Sequence, residues 1–365
     1  MDTTSGTDVI IEKMKGKLVI LIGTLRSGGA ERVVSEVSAM YADYFKEVIV
    51  LSYYDTEVFY KFDSRVRLEC VERQTKSTSM LKNILWIRRF VKSEHPDMFL
   101  SFLLRFNILS IWALMFLSTP VAVCERSDPQ WVSTRWLRWM RNFSYRFCKR
   151  IQVQTAAGKT CFPLAVQDKI LVIPNPNHIS VAERNMCLEQ VKEKRIVTVG
   201  RLIPVKNHKL LIDAFSIVSK EFPDYTLDFY GDGELKTELQ KIAFEQGLEK
   251  KVIFHGNVND VPQQIASAQM FVLSSDIEGM PNALMEAMAL GLPCVATDVS
   301  GVRDIIEDGE NGFIVPVGDK KAMADRVRKL IGSEELRNMF TEKSASVLSK
   351  FDEEQIFKLW VELVS

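Results

Sequence analysis

Two carboxylates, eight positions apart, are the residues of this chain whose types and spacing first suggest chemistry. Glu278 lies in the loop "EGMPN", and Glu286 follows in the apolar stretch "ALMEAMALG". A carboxylate beside a pocket can accept hydrogen bonds from two neighbouring hydroxyls, such as those of a sugar or a ribose. The alternative is that Glu278 favours a helix dipole and that Glu286 is a solvated surface residue.

The loop around Glu278 also predicts an array of backbone donors. It follows the predicted strand "MFVLSS", and Pro281 suits an early helical position. The free N–H groups at such a helix start can hold a phosphate or sugar hydroxyls. These donors are expected to be the backbone N–H groups of Gly279, Met280 and Asn282.

Two basic residues follow another predicted strand, in "GRLIPVKNHKLLIDAF". Arg201 and Lys206 lie on either side of Pro204, in the loop before a predicted helix. Two cations in this arrangement can clamp a diphosphate. Taken alone, the spacing favours a solvated loop instead.

Glycines mark two further loops that follow strands. Gly28 and Gly29 in "GTLRSGGAERVV" open a predicted helix, whose positive end suits an anion, although a simple tight turn explains the same letters. Gly231 and Gly233 in "FYGDGELKTELQ" indicate a tight turn or a close approach of the backbone to a ligand.

The loop "FHGNV" is the last candidate. His255 and Gly256, with Asn257 and Val258 after them, lie where a nucleobase can stack against the chain or bond to it. His255 on its own is more typical of a capping or packing residue. Because ligands of open parallel sheets bind beyond the carboxyl ends of the strands, all these loops are candidates for one shared cleft.

The order of predicted elements indicates two doubly wound α/β domains. At 365 residues the chain exceeds the length at which a single core keeps growing. Short β-branched runs alternate with helical patterns, which is typical of parallel strands joined by crossover helices. The runs that predict strands in the first domain are "KLVILIGTL", "EVIVLSYY", "RVRLECV", "DMFLSFL", "VAVCE", "IQVQT" and "KILVIPN", and the helices are predicted at 30–43, 78–94, 107–118, 132–149 and 156–165.

A charged stretch without an apolar pattern, "HISVAERNMCLEQVKEKR", interrupts this alternation and is interpreted as a linker near residues 177–194. Strand patterns then restart with "RIVTVG", "YTLDFYG" and "KVIFHG". The predicted domains are therefore a first at 1–177, a second at 195–348, and a final amphipathic helix at 349–365 that returns to pack on the first domain.

The composition excludes several classes of protein. The 47 basic and 47 acidic residues cancel, which argues against a whole-chain nucleic-acid binder. Six scattered cysteines indicate reduced, buried thiols in a cytoplasmic protein. The first residues, "MDTTSGTDVIIEKMKGK", lack the pattern of a signal peptide and are expected to form a loose tail. Residues 98–118 are apolar, but Arg105 and Asn107 near their middle favour a buried strand followed by a helix over a membrane span.

Taken in order, the motifs resemble those of the retaining glycosyltransferases of family four, which have the GT-B fold of two facing Rossmann-like domains. The resemblance covers nearly the whole chain. It consists of "GGAERVV", "VIPNP", "GRLIPVKNHKLLIDAF", "FYGDGELKTELQ", "VIFHGNV" and the E-x7-E pattern that starts at "EGMPN". Single members of this set are common, but the ordered set is highly specific.

The resemblance implies a role for each candidate residue. Arg201 and Lys206 would hold the donor diphosphate and neutralise the leaving group. Glu286 would bind the nucleotide ribose, and Glu278 would lie at the donor sugar. The backbone of Gly279, Met280, Pro281 and Asn282 would contact the sugar and the phosphate, and the loop of His255, Gly256, Asn257 and Val258 would frame the base.

The chain has neither a D-x-D pattern nor a His/Cys cluster with metal-ligand spacing. Cleavage of a glycosyl–phosphate bond leaves negative charge on the departing diphosphate, and two fixed cations can stabilise that charge. We therefore expect no cofactor and no divalent metal, with a nucleotide sugar, UDP-linked, as the co-substrate.

One position departs from the family pattern. Many relatives carry a histidine near the reacting sugar, where this chain has Glu125 and Arg126 in "VAVCERSDP". Together with "SFLLRFN", this segment is similar to a subset that builds bacterial surface glycans, including enzymes that add N-acetylgalactosamine to lipid-linked sugars. Glu125 is a candidate to bond a donor or acceptor hydroxyl or to stabilise the sugar cation. A structural role for Glu125 and Arg126 is the alternative.

Residues 131–150, "WVSTRWLRWMRNFSYRFCKR", repeat aromatic residues at helical spacing between basic ones. Such a helix suits an anionic membrane surface. The alternative is an aromatic stripe in the core with solvated arginines on the opposite face.

The sequence thus predicts a retaining, metal-independent glycosyltransferase. It would move a hexose or N-acetylhexosamine, including N-acetylgalactosamine, from a UDP-sugar to a polyprenyl-diphosphate-linked glycan at the inner face of a bacterial membrane. Nucleic acid is not an expected partner. The competing hypotheses are a nucleotide-sugar epimerase, a dinucleotide-dependent oxidoreductase, against which the missing G-x-G-x-x-G argues, and a non-catalytic nucleotide-sugar binding module.

Overall fold

The computed structural model describes residues 16–26 and 28–365, and most of the predicted N-terminal tail lies outside them. Two parallel β-sheets, each with an apolar core on both faces, form the architecture. This is the arrangement that the alternating strands and helices predicted.

The first sheet has seven strands in the order β3-β2-β1-β4-β5-β6-β7. Along β1, Leu18 and Ile20 pack into one core while Val19 and Leu21 pack into the other, because successive side chains of a strand point to opposite faces. A strand buried on both faces has to be apolar throughout. The strands are β1 (Lys17–Ile22), β2 (Glu47–Ser52), β3 (Val66–Cys70), β4 (Met98–Phe102), β5 (Val121–Cys124), β6 (Arg150–Val153) and β7 (Ile170–Val172).

Five of the helices between these strands agree in place with the predicted ones, although three of the five differ in length, and the short helix at Val71–Thr75 was not predicted. The helix predicted at 107–118 begins and ends earlier, since Phe116 has a left-handed backbone with φ of 64°. The helix predicted at 156–165 is a single short turn before Pro163, which cannot continue it. The helix predicted at 132–149 tightens after Ser144 into a 3-10 turn. The helices are α1 (Gly29–Tyr41), α2 (Val71–Thr75), α3 (Met80–Glu94), α4 (Leu104–Leu114), α5 (Arg135–Ser144) and α6 (Ala156–Thr160).

The second sheet has six parallel strands in the order β10-β9-β8-β11-β12-β13. Its strands are β8 (Glu193–Val199), β9 (Thr226–Tyr230), β10 (Val252–Gly256), β11 (Ala268–Leu273), β12 (Cys294–Thr297) and β13 (Phe313–Val315). Its helices are α7 (Val181–Leu188), α8 (His208–Glu221), α9 (Lys236–Glu245), α10 (Val261–Ile265), α11 (Asn282–Ala289), α12 (Val302–Ile305), α13 (Lys320–Gly332), α14 (Glu334–Lys343) and α15 (Ser346–Lys350).

Helix α7 lies in the stretch that we interpreted as a linker without a pattern, and that interpretation was wrong. A capping box starts the helix, because Ser180 accepts from the Glu183 N–H and Glu183 accepts from the Ser180 N–H. Cys187 is buried in the core of the second domain, and Arg184 donates to the carbonyl oxygens of Met288 and Ala289. The signal was visible as the S-x-x-E pattern.

The final helix, α16 (Glu353–Val364), returns to the first domain as predicted. Trp360 is fully buried in the core that also contains Tyr41 and Phe102. The Tyr41 hydroxyl donates to the Trp360 carbonyl at 2.6 Å. This helix therefore ties the end of the chain to the beginning of the fold.

The apolar segment 98–118 forms β4 and α4, as the sequence predicted. No helix in the part of the chain that the structure describes is long and apolar enough to cross a bilayer.

Candidate active site

The carboxyl ends of both sheets open onto one cleft with a volume of about 680 Å³. Loops that follow β1, β4, β5, β6 and β7 line it from the first domain, and loops that follow β8 and β11 line it from the second. This is where ligands of parallel sheets bind. The predicted site residues in its lining are Gly28, Gly29, Arg126, Arg201, Lys206, Glu278, Gly279, Met280, Pro281, Asn282 and Glu286.

Lys206 and Glu278 form an ion pair in the cleft, with Lys206 Nζ 2.6 Å from Glu278 Oε1. Ser275 Oγ donates to the same oxygen at 2.6 Å, and Ser274 Oγ donates to the Lys206 carbonyl at 2.9 Å. The loops after β8 and β11 are thereby fixed against each other. The helix dipole that we stated as the alternative does not account for Glu278 by itself, because its carboxylate is held in the cleft beside the Lys206 cation.

Arg201 is exposed, and its guanidinium has no hydrogen-bonded or ion-paired partner in the described ranges. Its backbone is supported from behind by His208, whose Nε2 donates to the Arg201 carbonyl at 3.3 Å. Burial lowers the pKa of His208 to about 4, so the ring is neutral in the fold. The backbone carbonyl of Arg201 is therefore held by an uncharged, buried imidazole.

Glu286 faces the first domain from α11, and Arg32 of α1 approaches it to 3.3 Å between Nη1 and Oε1. Burial raises the pKa of Glu286, and the nearby Arg32 cation only partly offsets this effect. Arg32 also binds Glu36, to which His178 donates at 3.3 Å. Glu286 is thus a carboxylate of an otherwise apolar helix that lies at the junction of the two domains, where it pairs with Arg32.

The start of α11 touches the first domain directly. Pro281 precedes the first helical residue rather than lying inside the helix. A Cβ on Gly279 would come within 2.4 Å of Gln154 Oε1 and 3.1 Å of the Arg126 carbonyl oxygen, so a larger residue would displace the Gln154 side chain. The Asn175 N–H donates to Met280 Sδ at 3.2 Å. The predicted donor loop is therefore packed against the ends of β6 and β7.

The loop of residues 255–258 is not part of the cleft lining. His255 Nε2 lies 2.9 Å from Asp228 Oδ2, and its ring stacks on Tyr230 with 4.4 Å between centroids. This is the packing role that we stated as the alternative for His255. Gly231 makes its close approach to the backbone of another loop, since a Cβ there would lie 2.1 Å from the Gly200 carbonyl oxygen, and it does not line the cleft.

Glu125 does not reach the cleft either. It is buried in the first domain, where the Tyr145 hydroxyl donates to its Oε1. Burial raises the pKa of Glu125 despite this bond and the nearby Arg141 cation. The geometry corresponds to the structural alternative, because no cleft contact accompanies the carboxyl group.

The glycines before α1 line the cleft, but a carboxylate already lies at this helix start. A Cβ on Gly28 would come within 2.2 Å of Glu31 Oε2, and Thr24 Oγ1 donates to Glu31 Oε1 at 2.9 Å. Any anion at Gly29 would therefore have Glu31 as a neighbour. The motif "GGAERVV" contributes the cation of Arg32 to the cleft, whereas Glu31 makes its helix start a poor site for an anion.

Sequence reasoning assigned no role to several polar residues of the cleft, among them Arg32, Gln154 and Asn175. Each of these three had a visible signal. Arg32 stands in "GGAERVV", while Gln154 and Asn175 stand near the ends of the predicted strands "IQVQT" and "KILVIPN". In a parallel sheet, polar residues at the carboxyl end of a strand are site candidates whether or not they belong to a motif.

The cleft is positively charged. Its lining has five basic and three acidic side chains in the described residues, which leaves a surplus of two positive charges. The basic residues are Arg26, Arg32, Arg126, Arg201 and Lys206, and the acidic ones are Glu31, Glu278 and Glu286. Within the same ranges, no group of three or more His, Cys, Asp and Glu side chains could hold a metal ion.

Known proteins resemble this chain along most of its length. Residues 182–347 match the family described as "Glycosyl transferases group 1". A Campylobacter jejuni relative is 28% identical over 96% of this chain and 98% of its own length; it is named "GalNAc-alpha-(1->4)-GalNAc-alpha-(1->3)-diNAcBac-PP-undecaprenol alpha-1,4-N-acetyl-D-galactosaminyltransferase". The amylovoran biosynthesis glycosyltransferase AmsD of Erwinia amylovora is 27% identical over 96% of this chain and 99% of its own.

Solved structures show the same fold. The Anabaena protein HepE, crystallised in complex with UDP, superposes with a TM-score of 0.78 over 95% of this chain and 98% of its own, at 19% identity.

Two facing parallel sheets with a shared cleft define this chain as a glycosyltransferase of the GT-B class. Residues 182–347 match the group 1 family, and the predicted resemblance to the family-four enzymes of bacterial surface-glycan assembly is confirmed.

Because His208 is neutral in the fold, the stability of the protein should depend on pH. Its pKa is about 4 when folded and about 6.5 when unfolded, so below pH 6.5 the unfolded chain binds a proton that the folded chain does not. Stability therefore falls as the pH is lowered from 6.5 towards 4, by about 2 kcal/mol between pH 7.5 and pH 5. Urea denaturation of the wild type and of His208→Gln at both pH values measures this contribution as the difference between the two losses. The exposed His95→Asn serves as the control, and equal losses for His208→Gln and the wild type would contradict the prediction.

A structural Glu125 predicts that its charge is dispensable for turnover. Glu125→Gln keeps an acceptor for the Tyr145 hydroxyl, so donor turnover should stay within about threefold of wild type. Glu278→Gln, which removes a cleft carboxylate, is the matched comparison and should lose at least about a hundredfold. If Glu125→Gln lost as much donor turnover as Glu278→Gln while its thermal midpoint stayed unchanged, the structural role would be contradicted and Glu125 would be a catalytic group.

Proposed function

We propose that this protein transfers a hexose or N-acetylhexosamine, with N-acetylgalactosamine as the first candidate, from a UDP-sugar to a lipid-linked glycan. Transfer would proceed with retention at the anomeric carbon and without a divalent metal. The observation that carries the proposal is the surplus of positive charge in the cleft. The diphosphate of a nucleotide sugar is an anion of matching sign, and fixed cations in a cleft attract and orient it.

The relatives support the choice of substrates. The Campylobacter jejuni relative is named as an N-acetylgalactosaminyltransferase that acts on an undecaprenol-linked glycan. HepE was solved with UDP and, in another crystal, with UDP-glucose. The names of these proteins favour a UDP-linked donor and a polyprenyl-diphosphate-linked acceptor for this chain.

The cleft geometry supports a division of roles. Arg201 and Lys206 would bind the diphosphate, and Lys206 would exchange its contact with Glu278 for a phosphate oxygen. That exchange frees Glu278 to accept from hydroxyls of the donor sugar. Glu286 would accept from the ribose hydroxyls in place of Arg32. Two ion pairs of the cleft would thus be replaced by contacts to the donor.

The proposed reaction breaks the bond between the anomeric carbon and the phosphate oxygen, whose electron pair remains on the departing UDP. The acceptor hydroxyl attacks from the same face, and its proton passes to the departing phosphate. Arg201 and Lys206 stabilise the charge that develops on this phosphate, which is a task that other enzymes give to a metal.

Removing the lysine of this pair of cations tests the proposal. Lys206→Ala should lower UDP release from the donor by about a hundredfold to a thousandfold, the loss expected for one preorganised charge at the leaving group. The measurement is UDP release in the presence of a lipid-linked acceptor extract and EDTA. Lys209→Ala is the matched control, since Lys209 is exposed on the adjoining helix and pairs with Asp213. Turnover of Lys206→Ala within a few-fold of the control would contradict the proposed role.

We further propose that residues 131–150 attach the protein to an anionic membrane surface. The rings of Trp136, Trp139 and Phe143 stack successively, and Phe147 meets Phe143 edge to face, with 4.9 to 5.5 Å between neighbouring centroids. Trp136 is 65% exposed, so the aromatic stripe is not the core stripe that we gave as the alternative. The neighbouring exposed cations are Arg135, Arg138, Arg146 and Lys149.

One residue of this segment departs from the predicted basic face. Arg141 is buried, donates to the Pro129 carbonyl at 2.7 Å and lies over the Phe162 ring. Arg141 therefore anchors α5 to the domain while the other cations remain available to lipid phosphates.

Membrane attachment predicts flotation with anionic vesicles. The wild type should float with vesicles of phosphatidylglycerol and phosphatidylcholine, and the double variant Trp136→Ser/Trp139→Ser should remain at the bottom of the gradient. Phe244→Ser, an exposed aromatic of the second domain, is the control. Flotation of the double variant to the same extent as the control would contradict the assignment of this surface.

A further inference from the structure

Four neighbouring strands of the first sheet each place one side chain at the same corner of the cleft. The strands β4, β5, β6 and β7 are adjacent in the sheet. The side chains belong to Leu103, Arg126, Gln154 and Asn175, each one to three residues beyond the end of its strand. We call these four residues the strand-end corner.

Asn175 orients two members of the strand-end corner. Its Oδ1 accepts from Arg126 Nη2 at 2.5 Å and from Gln154 Nε2 at 3.1 Å. Because a guanidinium can only donate, Asn175 has to turn its oxygen towards Arg126, and Gln154 then has to present its amide nitrogen. Asn175 Nδ2 in turn donates to Asn282 Oδ1 of the second domain. This network leaves the amide oxygen of Gln154 for another partner.

Three polar atoms of the strand-end corner are buried without a partner among the described residues. They are Nε and Nη1 of Arg126 and Oε1 of Gln154. A buried polar group without a hydrogen bond costs about 1–3 kcal/mol, and more if the group is charged. Two donors and one acceptor left unsatisfied beside a cleft indicate a ligand group that both accepts and donates.

We propose that the strand-end corner recognises the acetamido group of an N-acetylhexosamine donor. This inference rests on the proposed function, and it names the residues that select the sugar. The acetamido carbonyl accepts from the Arg126 guanidinium, and the acetamido N–H donates to Gln154 Oε1.

Other groups fit the corner less well. A phosphate or a carboxylate accepts from Arg126 but has no hydrogen to donate to Gln154. A hydroxyl has a single oxygen for both roles, so it leaves part of the guanidinium unsatisfied.

The position of the corner corresponds to the sugar end of the donor. Gln154 Oε1 lies against Gly279, which follows directly on Glu278, the carboxylate proposed to bind sugar hydroxyls. Leu103 adds an apolar surface for the acetamido methyl group. Its backbone has φ of 75°, a strained conformation for a leucine that costs about 1–3 kcal/mol and is typical of functional positions.

The experiment compares donors that differ only in the acetamido group. Binding of UDP, UDP-N-acetylgalactosamine and UDP-galactose to the full chain is measured by titration calorimetry. The wild type should bind the acetylated sugar about 10- to 100-fold more tightly than galactose. Equal affinities, or a preference for UDP-galactose, would overturn this inference alone. Failure to bind UDP itself would instead contradict the proposed function.

Two variants assign the preference to the strand-end corner. Gln154→Met should reduce the preference to within about threefold while UDP binding stays unchanged, and Arg126→Met should also reduce the preference by removing the donors. Gln152→Met is the matched control, because Gln152 is a buried glutamine of the same strand whose side chain donates to the Ile173 carbonyl outside the cleft. Retention of the full preference in both variants, with UDP binding intact, would overturn the assignment. The wild-type comparison decides the inference even if a variant fails to fold.

Discussion

Unbalanced positive charge in a cleft between two parallel sheets is the constraint on which the rest of this structure depends. Lys206 and Arg32 are paired with carboxylates, whereas Arg126 and Arg201 have none within the described residues. Burying a guanidinium without an anion is costly, so this arrangement depends on a ligand that supplies hydrogen-bond acceptors or on access of solvent. The exposed Arg201 meets the second condition. Arg126, whose Nε and Nη1 atoms are buried, is tied to a network of amides that is itself incomplete.

The side chains that line the cleft also join the two domains. Arg32 reaches Glu286, Asn175 reaches Asn282, and Gln154 lies against Gly279. A ligand that binds these groups has to exchange those contacts for its own, so binding and domain arrangement are linked through the same atoms. The α16 helix supports the arrangement from outside, because it carries the chain from the second domain back into the core of the first.

Much of the fold was predictable because its signals are local. Apolar runs buried on both faces of a sheet, as along β1, alternate with helical patterns, and this order alone indicates two doubly wound domains. The α7 helix was missed because its short apolar stripe, centred on Cys187, is hidden among charges. In the site, motif residues such as Lys206 and Glu278 were found by spacing. Gln154 and Asn175 were not, since their role depends on which strands are neighbours in the sheet, and that order is not a local property of the sequence. Glu125 illustrates the opposite error: it follows a strand and was therefore predicted to reach the site, but its side chain turns into the core.

The central claim is that two fixed cations allow this protein to transfer a sugar from a UDP-linked donor. The most direct measurement is UDP release from a panel of UDP-, GDP- and ADP-sugars in EDTA, with and without a lipid-linked acceptor extract. We predict acceptor-dependent release from one UDP-sugar, undiminished by EDTA. Release that EDTA abolishes and a divalent metal restores, or release from a GDP- or ADP-sugar only, would contradict the account.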